Sequence, residues 1–144
     1  MSSAVVPSEN DEAKALHQWL ALKHYRHTHI MNESGAGYKN LRRSVLGKAM
    51  GVSRGVPDFM VIADGNLIFV ELKRQHGGRI QPEQEQWLAD LAKTGASCAI
   101  CKGWQAAADF IEQVVHGDYK APADGFAVLP TTTRKRRKSD GLIF

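Results

Sequence analysis

The chain predicts an α/β fold, a small mixed β-sheet flanked by helices, on three observations. The runs Val56–Ile62 and Leu67–Lys73 are rich in β-prone residues and flank Asp64-Gly65, a dipeptide that signals a tight hairpin between such runs. Downstream, helical spacing of Gln84, Trp87, Leu88 and Leu91 is followed by the apolar run Ala96–Lys102. That strand–helix–strand order favours a right-handed parallel crossover beside the hairpin. Amphipathic helical patterns at both ends supply the flanking layers, and 144 residues suffice for one domain with a real core.

The first helix is expected to start near Ser8 or Asn10 and run to about Tyr25, with Leu16, Trp19, Leu20 and Lys23 at helical spacing. Glu12 falls on the same stripe, one turn before Leu16. A carboxylate there is unusual, yet the positive end of the helix dipole explains it as well as a functional role does. His27 and His29 alternate with threonine near the helix end and read as surface residues. Residues 32–55 read as a loop-rich wall over the hairpin, containing one weakly periodic helix at Asn40–Met50. Lys39, Arg42, Arg43, Lys48 and Arg54 give this wall enough cations to meet a phosphate backbone, although scattered Lys and Arg most often mark a solvated surface.

After the hairpin, Arg74–Arg79 is a flexible basic turn. Pro82 suits the first turn of the next helix, which Gly95 ends. Gln84 lies on the buried face near the start of that helix. Trp104–Val115 forms a second amphipathic helix, carrying Ala107, Ala108, Phe110, Ile111 and Val114. Residues 117–144 read as an extended, flexible C-terminal segment, so the folded domain is expected to occupy residues 1–116.

Charge is concentrated at one end. Arg134, Lys135, Arg136, Arg137 and Lys138 lie close to a single acid, Asp140, and account for the formal net charge of +4; the rest of the chain is neutral. Such a run can add a salt-dependent affinity for phosphates or remain a solvated tail. Cys98 and Cys101 form a lone C-x-x-C. On a strand these positions point to opposite faces, which disfavours both a shared metal and a disulfide and leaves two buried thiols. No apolar stretch approaches membrane-spanning length, and the N-terminus lacks a basic-then-apolar signal pattern, so a cytoplasmic protein is expected.

The hairpin carries the chemistry. With Asp64-Gly65 as the two-residue loop, opposed residue numbers sum to 129, which sets Asp58 against Glu71. Cross-strand neighbours of this kind have Cβ atoms roughly 4.5–5.5 Å apart. Lys73, two residues beyond Glu71, points to the same face. Two carboxylates about 5 Å apart repel by roughly 3 kcal/mol at an effective dielectric near 20. A protein can protonate one, offset both with lysine in a buried salt-bridge cluster, or bind a divalent cation. Clustered carboxylate oxygens are the usual protein ligands of Mg²⁺, which also accepts phosphate oxygens.

The set Gly55-Val56-Pro57-Asp58, then Glu71-Leu72-Lys73, then Gln81-Pro82-Glu83-Gln84 at the next helix start resembles the PD-(D/E)xK nuclease superfamily. Within it the match is to the virus-type replication-repair nuclease (VRR-NUC) domain in its compact stand-alone form, over roughly residues 10–115. The resemblance implies a restriction-endonuclease-like core and a metal-dependent, structure-selective DNA endonuclease. Asp58, Glu71 and the Leu72 carbonyl would hold Mg²⁺ or Mn²⁺, and Lys73 would position or deprotonate the attacking water. Gln84 would orient the lysine or the water, and Glu12 matches the family's N-terminal helix carboxylate near the metal. Asn32 occupies the place of an asparagine common in the family. DNA contacts would come from Asn32, Lys39, Arg42, Arg43, Arg54, Arg74, Arg79 and the run Arg134–Lys138. The stand-alone proteins resemble Holliday-junction resolvases, which implies a homodimer acting on branched, four-way DNA. The alternatives are a less selective or restriction-type nuclease, and an inactive nuclease fold that binds DNA.

Overall fold

The computed structural model describes residues 5–31 and 41–132. Asn32, Lys39 and Arg134–Lys138 lie outside the described residues, as do the side chains of Arg42 and Arg43. The described elements run α1 (Glu9–Leu22), β1 (Arg26–His29), α2 (Leu41–Ala49), β2 (Phe59–Ala63), β3 (Asn66–Lys73), α3 (Pro82–Ala92), β4 (Ser97–Lys102), α4 (Trp104–Val115) and β5 (Phe126–Leu129). The five strands form one mixed sheet in the order β1-β2-β3-β4-β5. The pairs β1–β2 and β2–β3 are antiparallel, and β3–β4 and β4–β5 are parallel.

The β2–β3 hairpin has the register its turn dictates. Phe59 pairs with Val70 and Ala63 with Asn66, leaving Asp64 and Gly65 as the loop. Both loop residues have positive φ, 47° and 78°, as a type I′ turn requires. The Asn66 side-chain amide donates to the Ala63 and Asp64 carbonyls and closes the turn.

Alternation along the strands divides the core between two faces. On one, Phe59, Val61, Ile68, Val70, Leu72 and Cys101 pack against Leu16, Trp19 and Leu20 of α1 and against α4. On the other, Phe69, Cys98 and Ile100 meet Leu88 of α3. The two cysteines are buried, free and on opposite faces, as their strand spacing predicts. Burial pushes the Cys98 thiol up to about 11 and raises that of Cys101 as well, which keeps both protonated.

Helix α1 opens with a reciprocal capping box between Ser8 and Asp11. It ends at Leu22, earlier than the apolar pattern suggests, because the chain turns through His24 at positive φ and enters β1. Strand β1 was not expected. Its four residues, Arg-His-Thr-His, carry no apolar alternation, and the strand is held by its pairing with β2 at the sheet edge. The expectation of an extended, flexible segment from 117 also requires amendment. Tyr119 packs edge-on against Phe110, and Phe126–Leu129 pairs in parallel with β4, so the sheet draws its last strand from beyond residue 116.

Candidate active site

Strand β3 runs through the sheet and delivers Glu71, Leu72 and Lys73 at its C-terminal end, with Asp58 opposite, just ahead of β2. Pro57 before Asp58 favours extended backbone and removes a donor, which fits a strand entry. The Asp58 carbonyl accepts the Ile30 N–H at 2.6 Å, tying this entry to the end of β1. Its carboxylate turns inward and accepts the Leu72 N–H at 2.8 Å.

Glu71 and Lys73 are 2% and 6% exposed, which places an acid and a base in a setting where charge is costly. Lys73 Nζ lies 3.5 Å from Glu71 Oε1. The same oxygen accepts the Gln84 side-chain N–H at 2.9 Å. Gln84 in turn uses its own oxygen to accept the Gln81 N–H at 2.9 Å, forming a capping box at the start of α3. One glutamine therefore caps α3 with one end and fixes the Glu71 carboxylate with the other. Helix α3 is held close by Gly55, where φ is +88° and a Cβ would fall 2.6 Å from the Glu83 carbonyl carbon. Only glycine fits there.

The second oxygen of Glu71, Oε2, is buried and has no hydrogen-bond partner among the described residues. Burial, and then the charge of Asp58, push the Glu71 carboxyl up to about 8 despite the opposing pull of Lys73. Asp58 is also raised, by burial, against the lowering effect of its Leu72 hydrogen bond. Two carboxyls held above their ordinary range, one with an orphaned oxygen, form a site suited to a cation. A third acid completes it. Single oxygens of Glu9, Asp58 and Glu71 lie within 4.8 Å of one another. This donor set of hard oxygens, one fully buried and one exposed to solvent, fits Mg²⁺ or Mn²⁺.

Glu12 is not in this cluster, which corrects the expectation placed on it. It is 1% exposed, and its two oxygens accept the Trp104 N–H at 2.6 Å and the Gln75 side-chain N–H at 3.1 Å. The reason is axial. Glu9 and Glu12 share one face of α1, but Glu9 is the first residue of the helix and meets Asp58 and Glu71, whereas Glu12 lies a turn deeper against the start of α4. Its carboxylate caps α4 and holds the segment that follows Lys73. Glu9 was missed because its reach depends on how α1 sits on the sheet; its position one turn before Glu12 on the same stripe is the only signal the sequence carries.

The remaining predicted residues are more dispersed. Leu72 is within the site through its backbone. Arg54, Arg74 and Arg79 are exposed, and the loop containing the last two folds back so that Gly78 approaches the Lys73 side chain. The end of β1 also reaches the site. His29, read from sequence as a surface residue, shares a cavity with Glu9, Asp58 and Leu72.

Comparison with known proteins shows both a family match and a structural likeness. The family described as VRR-NUC domain matches residues 7–105. A solved structure described as a VRR_NUC domain protein superposes with a TM-score of 0.63 at 22% identity, covering 78% of this chain and 92% of its own. No curated protein matches the chain.

Proposed function

The chain belongs to the VRR-NUC domain family, and is thus a nuclease; on that premise we propose that it is a divalent-metal-dependent, structure-selective DNA endonuclease, acting as a homodimer on four-way junctions. The observation that carries the metal dependence is the convergence of Glu9, Asp58 and Glu71 around a buried, unpartnered Glu71 oxygen. In a purely structural site these acids repel one another unless one stays protonated or Lys73 offsets them, whereas a bound cation satisfies all three.

Glu9, Asp58 and Glu71, with the Leu72 carbonyl beside them, would hold Mg²⁺ or Mn²⁺. When bound, that ion supplies a Lewis acid at the phosphate oxygen where charge develops and makes water more acidic. The protein's own groups do the rest. Lys73, kept beside Glu71, offers its ammonium to the attacking water and to a non-bridging oxygen of the phosphate. Gln84 keeps the Glu71 carboxylate in one orientation, because its other end is committed to the α3 cap. The Leu72 N–H does the same for Asp58. Exposed Arg54, Arg74 and Arg79, with Asn32, Lys39, Arg42 and Arg43, would meet phosphates flanking the cut. The run Arg134–Lys138 would add a salt-dependent affinity for phosphates.

A single small domain presents one site, so paired incision across a junction calls for a two-fold dimer. Among the described residues no helix is long and apolar enough to cross a membrane, and a cytoplasmic site of action is part of this reading. The test is a panel of labelled four-way junction, flap, nicked duplex and linear duplex, each incubated with Mg²⁺, Mn²⁺ or chelator. Metal-dependent cleavage with the junction cut fastest is expected. Linear duplex cut as fast as the junction would contradict the resolvase reading, and no cleavage of any DNA would contradict the nuclease reading altogether.

A further inference from the structure

We propose that the cavity beside the carboxylate cluster is a subsite for one unstacked nucleobase of the strand being cut, with His29 as its stacking platform. The proposal rests on the nuclease reading above and adds a substrate requirement to it: the nucleotide next to the scissile phosphate must leave its base stack.

The cavity has a volume of about 230 Å³. That is below the roughly 300–1,000 Å³ of sites for drug-sized ligands, and it suits a single flat ring. One rim is formed by Glu9 and Asp58, two of the three carboxylates of the cation site. The walls differ in character. Ala13, Leu72 and Met31 are apolar, Asn10 offers an amide able to donate and accept, and His29 contributes an aromatic ring. Such a lining receives a flat, mostly apolar group with hydrogen-bonding edges.

The His29 ring is held in place. It lies parallel to Phe59, with centroids 4.6 Å apart and planes 2° from each other, and Phe59 is fully buried in the core. The pairing of His29 with Phe59 across β1 and β2 fixes the backbone beneath both rings. With one face committed to Phe59, the rest of this exposed ring is what the cavity offers to a ligand.

Connectivity selects the occupant. With the scissile phosphate at Glu9, Asp58 and Glu71, the groups next along the strand are a sugar and its base. A base within a duplex cannot reach into a cavity of this kind without leaving the stack, and doing so costs least where pairing is already interrupted. Stacking on an aromatic ring tolerates any base, because every base has a π-face. The subsite therefore selects DNA structure rather than sequence.

The test uses the full chain with junction substrates carrying one abasic residue at each position within two nucleotides of the mapped cut. At one position the abasic substitution should lower kcat/KM by about 5- to 100-fold, the range expected for one base–aromatic stack. His29→Ala should give a similar loss on intact DNA and little further loss on that abasic substrate, while His29→Phe should retain cleavage. A 2-aminopurine placed at the same position should change fluorescence on binding with Ca²⁺ in place of Mg²⁺, and His29→Ala should abolish the change. Cleavage indifferent to every abasic position, or equal His29→Ala losses on intact and abasic DNA, overturns the subsite but leaves the nuclease intact. Absence of metal-dependent cleavage on any DNA overturns the nuclease reading, and the subsite with it.

Discussion

At Glu71 the protein keeps a proton that the unfolded chain releases. Burial and the neighbouring Asp58 push its carboxyl up to about 8 in the fold against an ordinary 4.5, and burial shifts Asp58 in the same direction. Between those values the folded state binds more protons than the unfolded one, so stability falls as pH rises through the window. The melting temperature of metal-free protein should therefore drop from pH 5 to pH 8, and Glu71→Gln should remove most of that slope. Excess Mg²⁺ should reverse the trend, because cation binding requires the deprotonated carboxylates. The two acids of α1 should separate cleanly by function. Glu9→Gln, at an exposed position, should leave the melting temperature nearly unchanged and weaken Mn²⁺ binding by about tenfold. Glu12→Gln should cost about 1–2 kcal/mol by weakening the cap on Trp104, with Mn²⁺ affinity close to wild type. Calorimetric titration and thermal melts read both. Asp58, Glu71, Lys73 and Gln84 were legible in the sequence because a two-residue turn fixes register and helical spacing fixes a face. Glu9 was not, since its place depends on the packing of a helix against the sheet, which no local pattern encodes.

Elements differ in how they are specified. The hairpin and α3 are written locally, in Asp64-Gly65, Pro82 and the spacing of Leu88 and Leu91. The edge strands differ: β1 has four polar residues and becomes a strand through its pairing with β2, whereas β5 carries a short apolar signal of its own between Gly125 and Pro130. The junction between the loop and α3 is the most demanding of the positions that shape the site. Gly55→Ala would force a side chain into the Glu83 backbone at a positive φ. A loss of about 2 kcal/mol or more is expected, together with a raised metal requirement as Gln84 loses its hold on Glu71. A variant with wild-type stability and metal response would show that the contact is not needed.

Across the whole molecule, the formal net charge is concentrated at one end of the sequence. The described body positions three acids and a lysine at one end of a sheet, while the excess positive charge lies in Arg134–Lys138. Thr131 donates its hydroxyl to the Gln75 carbonyl at 3.1 Å, two residues beyond Lys73, so the basic run follows an anchor near the site. Deleting residues 133–144 should leave the melting temperature within about a degree and weaken DNA binding. Five lost phosphate contacts would flatten the dependence of log affinity on log salt by about 4 to 5, and a change of two or more is expected. An unchanged salt slope would assign the run some other task.

The central claim is that Asp58, Glu71 and Lys73 form a centre that cleaves phosphodiesters. Its most direct test is Lys73→Ala, measured side by side for cleavage of a labelled junction in Mg²⁺ and for binding of the same junction in Ca²⁺. Cleavage should fall by at least about a hundredfold, as for the loss of one group that stabilises transition-state charge, while affinity stays within about threefold of wild type. A folded Lys73→Ala protein that still cuts at the wild-type rate would contradict the account.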